Sequence, residues 1–189
     1  MANNNFKEYV VYVFLVLMIF NFFFFFSIYL VATMTHFEKN TAELTRDFVI
    51  DNVYSVQELE LYYTFDEVIH LDEVRKIYHN MVYLMIFEFF ILFLIVILFK
   101  HKFKFVFLKY ISKYLFVIVI IFFIIVLIFY KSAFVIAHKL LFNSVWQFPS
   151  DSLLINLFPF NFWFIKSVEV FVLMSLFGFL FYYSISPID

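Results

Sequence analysis

Apolar positions fall into four long runs, and polar residues gather between the runs and not within them. The first, from about Val10 to Met34 (VVYVFLVLMIFNFFFFFSIYLVATM), is broken only by Asn21, Ser27 and Thr33. The others cover residues 81–99, 115–135 and 164–183. A helix rises 1.5 Å per residue, so about 20 apolar residues cross the hydrocarbon core. Each run is long enough. The pattern predicts an all-α, four-helix transmembrane bundle forming a single membrane domain over residues 1–189. The first run follows Lys7 directly and lacks a small-residue cleavage site, so it reads as a retained span and not as a signal peptide.

Loop charge sets the orientation. Lys100, Lys102, Lys104, Lys109 and Lys113 stand in residues 100–114 without an acid among them. Lysine-rich short loops mark the cytoplasmic face. Residues 35–80 instead carry acids from Glu38 to Glu73 against Lys39, Arg46, Arg75 and Lys76. Residues 35–80 and 138–163 are therefore expected outside, with both termini cytoplasmic.

The first outer segment shows helical spacing at Phe48, Ile50, Val53, Val56 and Leu59, which predicts one or two short amphipathic helices on the lipid surface. No Gly or Pro interrupts it. A further helix is expected to start near Asp66 and run unbroken into the second span, its early acids Asp66 and Glu67 suiting the helix dipole. The second outer segment is different. It reads HKLLFNSVWQFPSDSLLINLFPFNFW from His138 to Trp163 and is the one polar break in the second half of the chain. The helical pattern fails at Asn143 and Ser144, and Pro149 and Pro159 exclude a continuous helix. Ser150 or Asp151 is expected to cap a short helix between the prolines. Irregular backbone of this kind survives at membrane depth only when protein buries it or it lines a cavity.

Composition sharpens the class more than the function. Of 189 residues 66% are hydrophobic, and the mean hydropathy is +0.97, too apolar for a soluble domain. With 34 Phe, aromatic content by itself carries little functional signal. The absence of cysteine excludes disulfides and thiolate chemistry. The one glycine, Gly178, leaves no room for a Walker loop, a dinucleotide turn or a G-x-S-x-G elbow, and no H-E-x-x-H is present. Nothing suggests nucleic acid, and no cofactor or metal is implied.

Five histidines are sorted by position. His101 stands in the lysine loop, while His36 and His79 flank spans as interfacial anchors. His70 and His138 fall outside, among acids or turn residues. On a helix, Asp66, Glu67 and Glu73 share a face with His70, whereas Asp72 does not. A carboxylate holding one ring nitrogen would leave the other free as a base. The competing readings are a surface histidine on an acidic helix and a histidine at headgroup level. The two rings can meet only if the helix carrying His70, eleven residues before the second span, bends or lies along the surface. Glu88, Lys131 and Glu169 stand inside spans, where charge is costly; structural pairing, such as Lys131 with Glu169, is the favoured explanation. Trp146 and Trp163 also fit an interfacial aromatic belt.

Two motifs resemble a known family. His70-Leu71-Asp72-Glu73-Val74 before the second span is similar to the outer-loop element of the lipoprotein intramolecular transacylases, small four-span bacterial membrane enzymes. His138, Phe142-Asn143, Trp146, Phe148-Pro149, Asp151 and Pro159 resemble the family's second element. The chain departs from the family pattern in having Glu73 where Asp is common, and Phe160 where an acid often follows the second proline. The resemblance implies transfer of the sn-2 acyl chain of a diacylglyceryl lipoprotein to the α-amino group of its N-terminal cysteine, leaving a lyso-form lipoprotein, at the outer face of a bacterial cytoplasmic membrane. It implies catalysis by His70 and His138. On this reading Glu73 orients His70 as base, and His138 serves as proton donor or oxyanion partner. Trp146, Phe148, Asp151 and Trp163, with Arg46 of the first outer segment, bind the lipoprotein and membrane lipid. The rival readings are a non-enzymatic four-span partner or assembly protein, a small transporter and a lipid-acyl hydrolase.

Overall fold

A computed structural model describes residues 2–37, 40–99 and 105–184. Among them there is no strand, and eight α-helices follow in order. These are α1 (Ala2–Met34), α2 (Asn40–Arg46), α3 (Val56–Leu59), α4 (Phe65–Phe99), α5 (Phe105–Ile128), α6 (Tyr130–Leu141), α7 (Leu153–Leu157) and α8 (Phe160–Ser184). Four segments are long and apolar enough to cross a membrane: Val10–Met34, Phe65–Ile95, Leu108–Ile128 and Phe160–Ser184. This is the all-α four-helix transmembrane bundle that the hydropathy pattern predicts. Lys100, Lys102, Lys104 and His101 of the expected basic loop, and Glu38 and Lys39 of the acidic one, lie outside the described residues.

The described chain packs as two compact units. One takes in the chain up to Ile28, Tyr83–Ile125 and the chain from Glu169 on. Its core is built from Tyr12, Leu15, Val16, Phe20, Leu108 and Met174. Within it the amide of Asn21 donates to Glu88 Oε1 at 2.6 Å, so the buried acid of the second span is met by a neutral partner. Gly178 explains the single glycine: a Cβ there would lie 2.8 Å from Cδ2 of Phe116 and 3.3 Å from Phe20. Gly178→Ala should displace the Phe116 ring and cost about 1–3 kcal/mol by overpacking; a fall in thermal midpoint in detergent checks it.

The other unit comprises Tyr29–Val82 and Val126–Val168. Its core joins Ala42, Phe48 and Leu59 to Val68 and Leu71 of α4, and to Leu154 and Phe158. Phe48 is fully buried, and the Arg75 guanidinium lies 4.4 Å from its ring centroid. The first outer segment forms short helices, with a π-helical turn over Asp47–Asp51 after α2. Phe48 and Leu59, however, turn into this protein core and not to a lipid surface, and Val53 stands outside any helix. The segment is broken at Asn52, which takes a left-handed conformation (φ 56°, ψ 32°). Asn enters that region more readily than most residues, and Asn52 is further held by a long-range bond, its Oδ1 accepting from Arg75 at 3.0 Å.

Three boundaries differ from expectation. The third span does not run on to residue 135: α5 ends at Ile128, Phe129 breaks the helix (φ −101°, ψ 29°), and α6 starts afresh at Tyr130. The basic stretch 100–114 is not all loop, because Lys109 and Lys113 are already in α5. The short helix between the prolines is capped by Ser152 and not by Ser150 or Asp151; its side chain accepts from the Ile155 N–H at 3.2 Å. The residues before it are taken up by a turn closed by Ser152 N–H on the Pro149 carbonyl.

Candidate active site

α4 begins at Phe65, as its unbroken polar stretch predicts, and carries His70 in its second turn. α6 ends at Leu141, where Phe142 turns extended, and carries His138 in its last turn.

The two imidazoles lie with centroids 6.1 Å apart and planes 23° apart. Aromatic rings close around them. Phe142 touches both, at 4.4 Å from His70 and 5.0 Å from His138. Phe148 lies 5.5 Å from His70; Trp146 and Phe134 lie 5.2 Å and 3.9 Å from His138. His70 is only 7% exposed, and its Nδ1 is buried without a hydrogen-bond partner. His138 is half-buried.

One hydrogen bond decides a tautomer. His138 Nδ1 lies 2.9 Å from the carbonyl oxygen of Phe134, one turn earlier in α6. A carbonyl only accepts, so Nδ1 carries the proton and the neutral ring keeps its lone pair on Nε2. Burial pushes His138 below the usual histidine range, opposed by that same hydrogen bond. The ring is a proton acceptor at neutral pH.

Glu73 does not hydrogen-bond His70. Its Oε2 accepts from Ser144 Oγ at 2.6 Å and from Ser144 N–H at 3.3 Å. Of the other residues expected at the site, Trp146 and Phe148 are brought to the histidines and three are not. Arg46 forms ion pairs with Asp47 at 2.8 Å and Asp51 at 3.7 Å. Asp151 is exposed in the turn before α7. Trp163 stacks near Phe158 and Phe162 at 6.2 and 5.2 Å. Among the described residues none of these three touches either ring. The pattern reading missed Phe134 and Ser144, and gave Phe142 no role of its own. An i−4 carbonyl partner is set by helix geometry and leaves no mark in residue type, while a lone serine in a turn is indistinguishable from many others. Among the described residues no three metal-ligating side chains cluster.

Comparison of the chain with family models, with curated proteins and with solved structures gives no match.

Proposed function

We propose that the chain is a membrane acyltransferase of the lipoprotein intramolecular transacylase kind. It would move the sn-2 acyl chain of a diacylglyceryl lipoprotein to the α-amino group of the N-terminal cysteine. The observation that carries the reading is the pairing of His70 and His138, distant in sequence, in one aromatic-lined site. The charge pattern of the loops supports placing that site at the outer face of a bacterial cytoplasmic membrane, where a lipid-anchored substrate can enter sideways.

The chemistry asked of the residues is modest. The amine attacks the sn-2 ester carbonyl, a C–N bond forms, and the C–O bond to glycerol then breaks. His138 Nε2 takes the ammonium proton and returns it to the departing glycerol oxygen. An N–H of His70 steadies the oxyanion, so the expected division of labour between the two rings is reversed. An unperturbed α-amino group titrates near 8 and imidazole near about 6.5, which makes neutral imidazole a suitable acceptor. No serine or cysteine nucleophile is required, because amine and ester share one substrate molecule and binding supplies the proximity.

The test is mass spectrometry of lipoprotein N-termini from a bacterial host lacking its own N-acyltransferase. Lyso-form N-acyl peptides should be found only when this chain is expressed. Unchanged diacylglyceryl peptides beside a correctly inserted protein would overturn the proposal and favour a non-enzymatic partner.

A further inference from the structure

Two carboxylates bracket His70 on α4, Glu67 one turn before it and Glu73 one turn after. Both hydrogen-bond to the same stretch of chain and not to the ring. Glu67 is 2% exposed, and its carboxylate is fully engaged. Oε1 accepts from the Leu154 N–H of α7 at 3.0 Å. Oε2 accepts from the Thr64 N–H at 2.9 Å and the Thr64 hydroxyl at 2.8 Å. Glu73 grips Ser144 in the same manner. Residues 144 and 154 are thus tied to α4 on either side of His70. Between them run Trp146 and Phe148, which wall the two imidazoles.

We infer that Glu67 and Glu73 form a two-point clamp, with Ser144 and the start of α7 as its far ends. The clamp sets the register of residues 144–154 over the histidine pair. All are positioning residues, and Glu73 acts through Ser144 and not by orienting His70. The need is physical. From Asn143 to Asp151 the chain forms neither helix nor strand to hold it. Apolar contacts such as Phe148 and Leu154 in the core are non-directional. Charge-assisted hydrogen bonds to backbone N–H groups are directional and about twice as strong as neutral ones. Both acids lie within reach of one short segment although that segment is remote in sequence, which a pair of merely solvated acids would not do.

The inference rests on the transacylase reading for its catalytic consequence, and on geometry alone for the placement of Trp146. The experiment therefore reads both in the full-length protein in lipid nanodiscs. One readout is kcat and KM for a synthetic diacylglyceryl peptide. The other is acrylamide quenching of Trp146 in a Trp163→Phe background used only for fluorescence. Glu67→Ala and Glu73→Ala are expected to lower kcat by about tenfold to a hundredfold with KM nearly unchanged, the penalty of small misplacement at a reacting centre. Trp146 should become more quenchable in both. Glu73→Gln should restore most of both readouts, because an amide oxygen still accepts from Ser144. Glu67→Gln should not, because its NH2 would face an N–H donor on one side or the other. If Glu67→Ala does not insert, Ser144→Ala carries the test with the same expected direction. Glu73→Gln as damaging as Glu73→Ala, or Trp146 quenching unmoved in the alanine variants, would overturn the clamp. Trp146 released in the variants of a protein whose wild type transfers no acyl chain would uphold the clamp and remove the transacylase reading.

Discussion

His138→Ala is expected to lower transacylation by about a thousandfold, within the range that removal of a positioned general base produces. The reason is the tautomer. With Nδ1 committed to the Phe134 carbonyl, Nε2 is the one lone pair on the ring that can take the ammonium proton. His70→Ala should fall by a similar order, because an oxyanion donor in a buried site is worth about a hundredfold to a thousandfold. The double variant should be little worse than the worse single one, since groups that act on one transition state are strongly non-additive. Initial rates on a diacylglyceryl peptide, with insertion and helicity matched to wild type, are the measurement. Single variants that keep more than about a tenth of wild-type activity would contradict the assignment.

The pH profile of kcat should bend twice on its acid side. Below about pH 8 the substrate α-amine begins to protonate, and the rate should fall about tenfold per pH unit. A second steepening, to about a hundredfold per unit, should follow once His138 itself protonates and loses its lone pair. Burial depresses His138 in the folded protein, so this second bend must lie below the ordinary histidine value of about 6.5. Stability follows the same sign. The unfolded chain takes up the proton first as pH falls, so the stability that goes with a neutral, buried His138 is present above about 6.5 and is lost as pH drops through the folded value. A second bend at or above pH 7 in single-turnover kinetics would show that another group is the acceptor.

The architecture was legible in the chain because lipid imposes strong rules. Runs of Phe, Ile, Leu and Val long enough to cross can only be helices, and the breaker-free stretch from Asp66 announced the continuous α4. The two histidines were legible because a polar residue beside a turn stands out in so apolar a sequence. What stayed hidden was set by backbone geometry. The break at Phe129 lies in a run of β-branched and aromatic residues with no Gly or Pro to mark it. The left-handed turn at Asn52 is one asparagine among several. Helical spacing gave Glu67 and Glu73 a common face with His70, and the simplest inference was contact with the ring. The alternative partners, Leu154 and Ser144, come from a segment that spacing along one helix cannot place. The same limit applies to Arg46, Asp151 and Trp163, whose residue types suit a lipid site but whose neighbours lie elsewhere.

Because the proposed reaction moves an acyl chain within one molecule, it leaves the mass of the substrate unchanged. The most direct test is therefore positional. A synthetic diacylglyceryl-cysteine peptide carrying deuterium only in its sn-2 chain would be incubated with the purified protein in nanodiscs and sequenced by fragmentation mass spectrometry. The label should be found on the α-amine, with a lyso-glyceryl group left on sulfur and the intact mass unaltered, and His138→Ala should leave it on glycerol. Label released as free fatty acid, or retained on glycerol by the well-inserted wild-type protein, would contradict intramolecular transfer by the histidine pair.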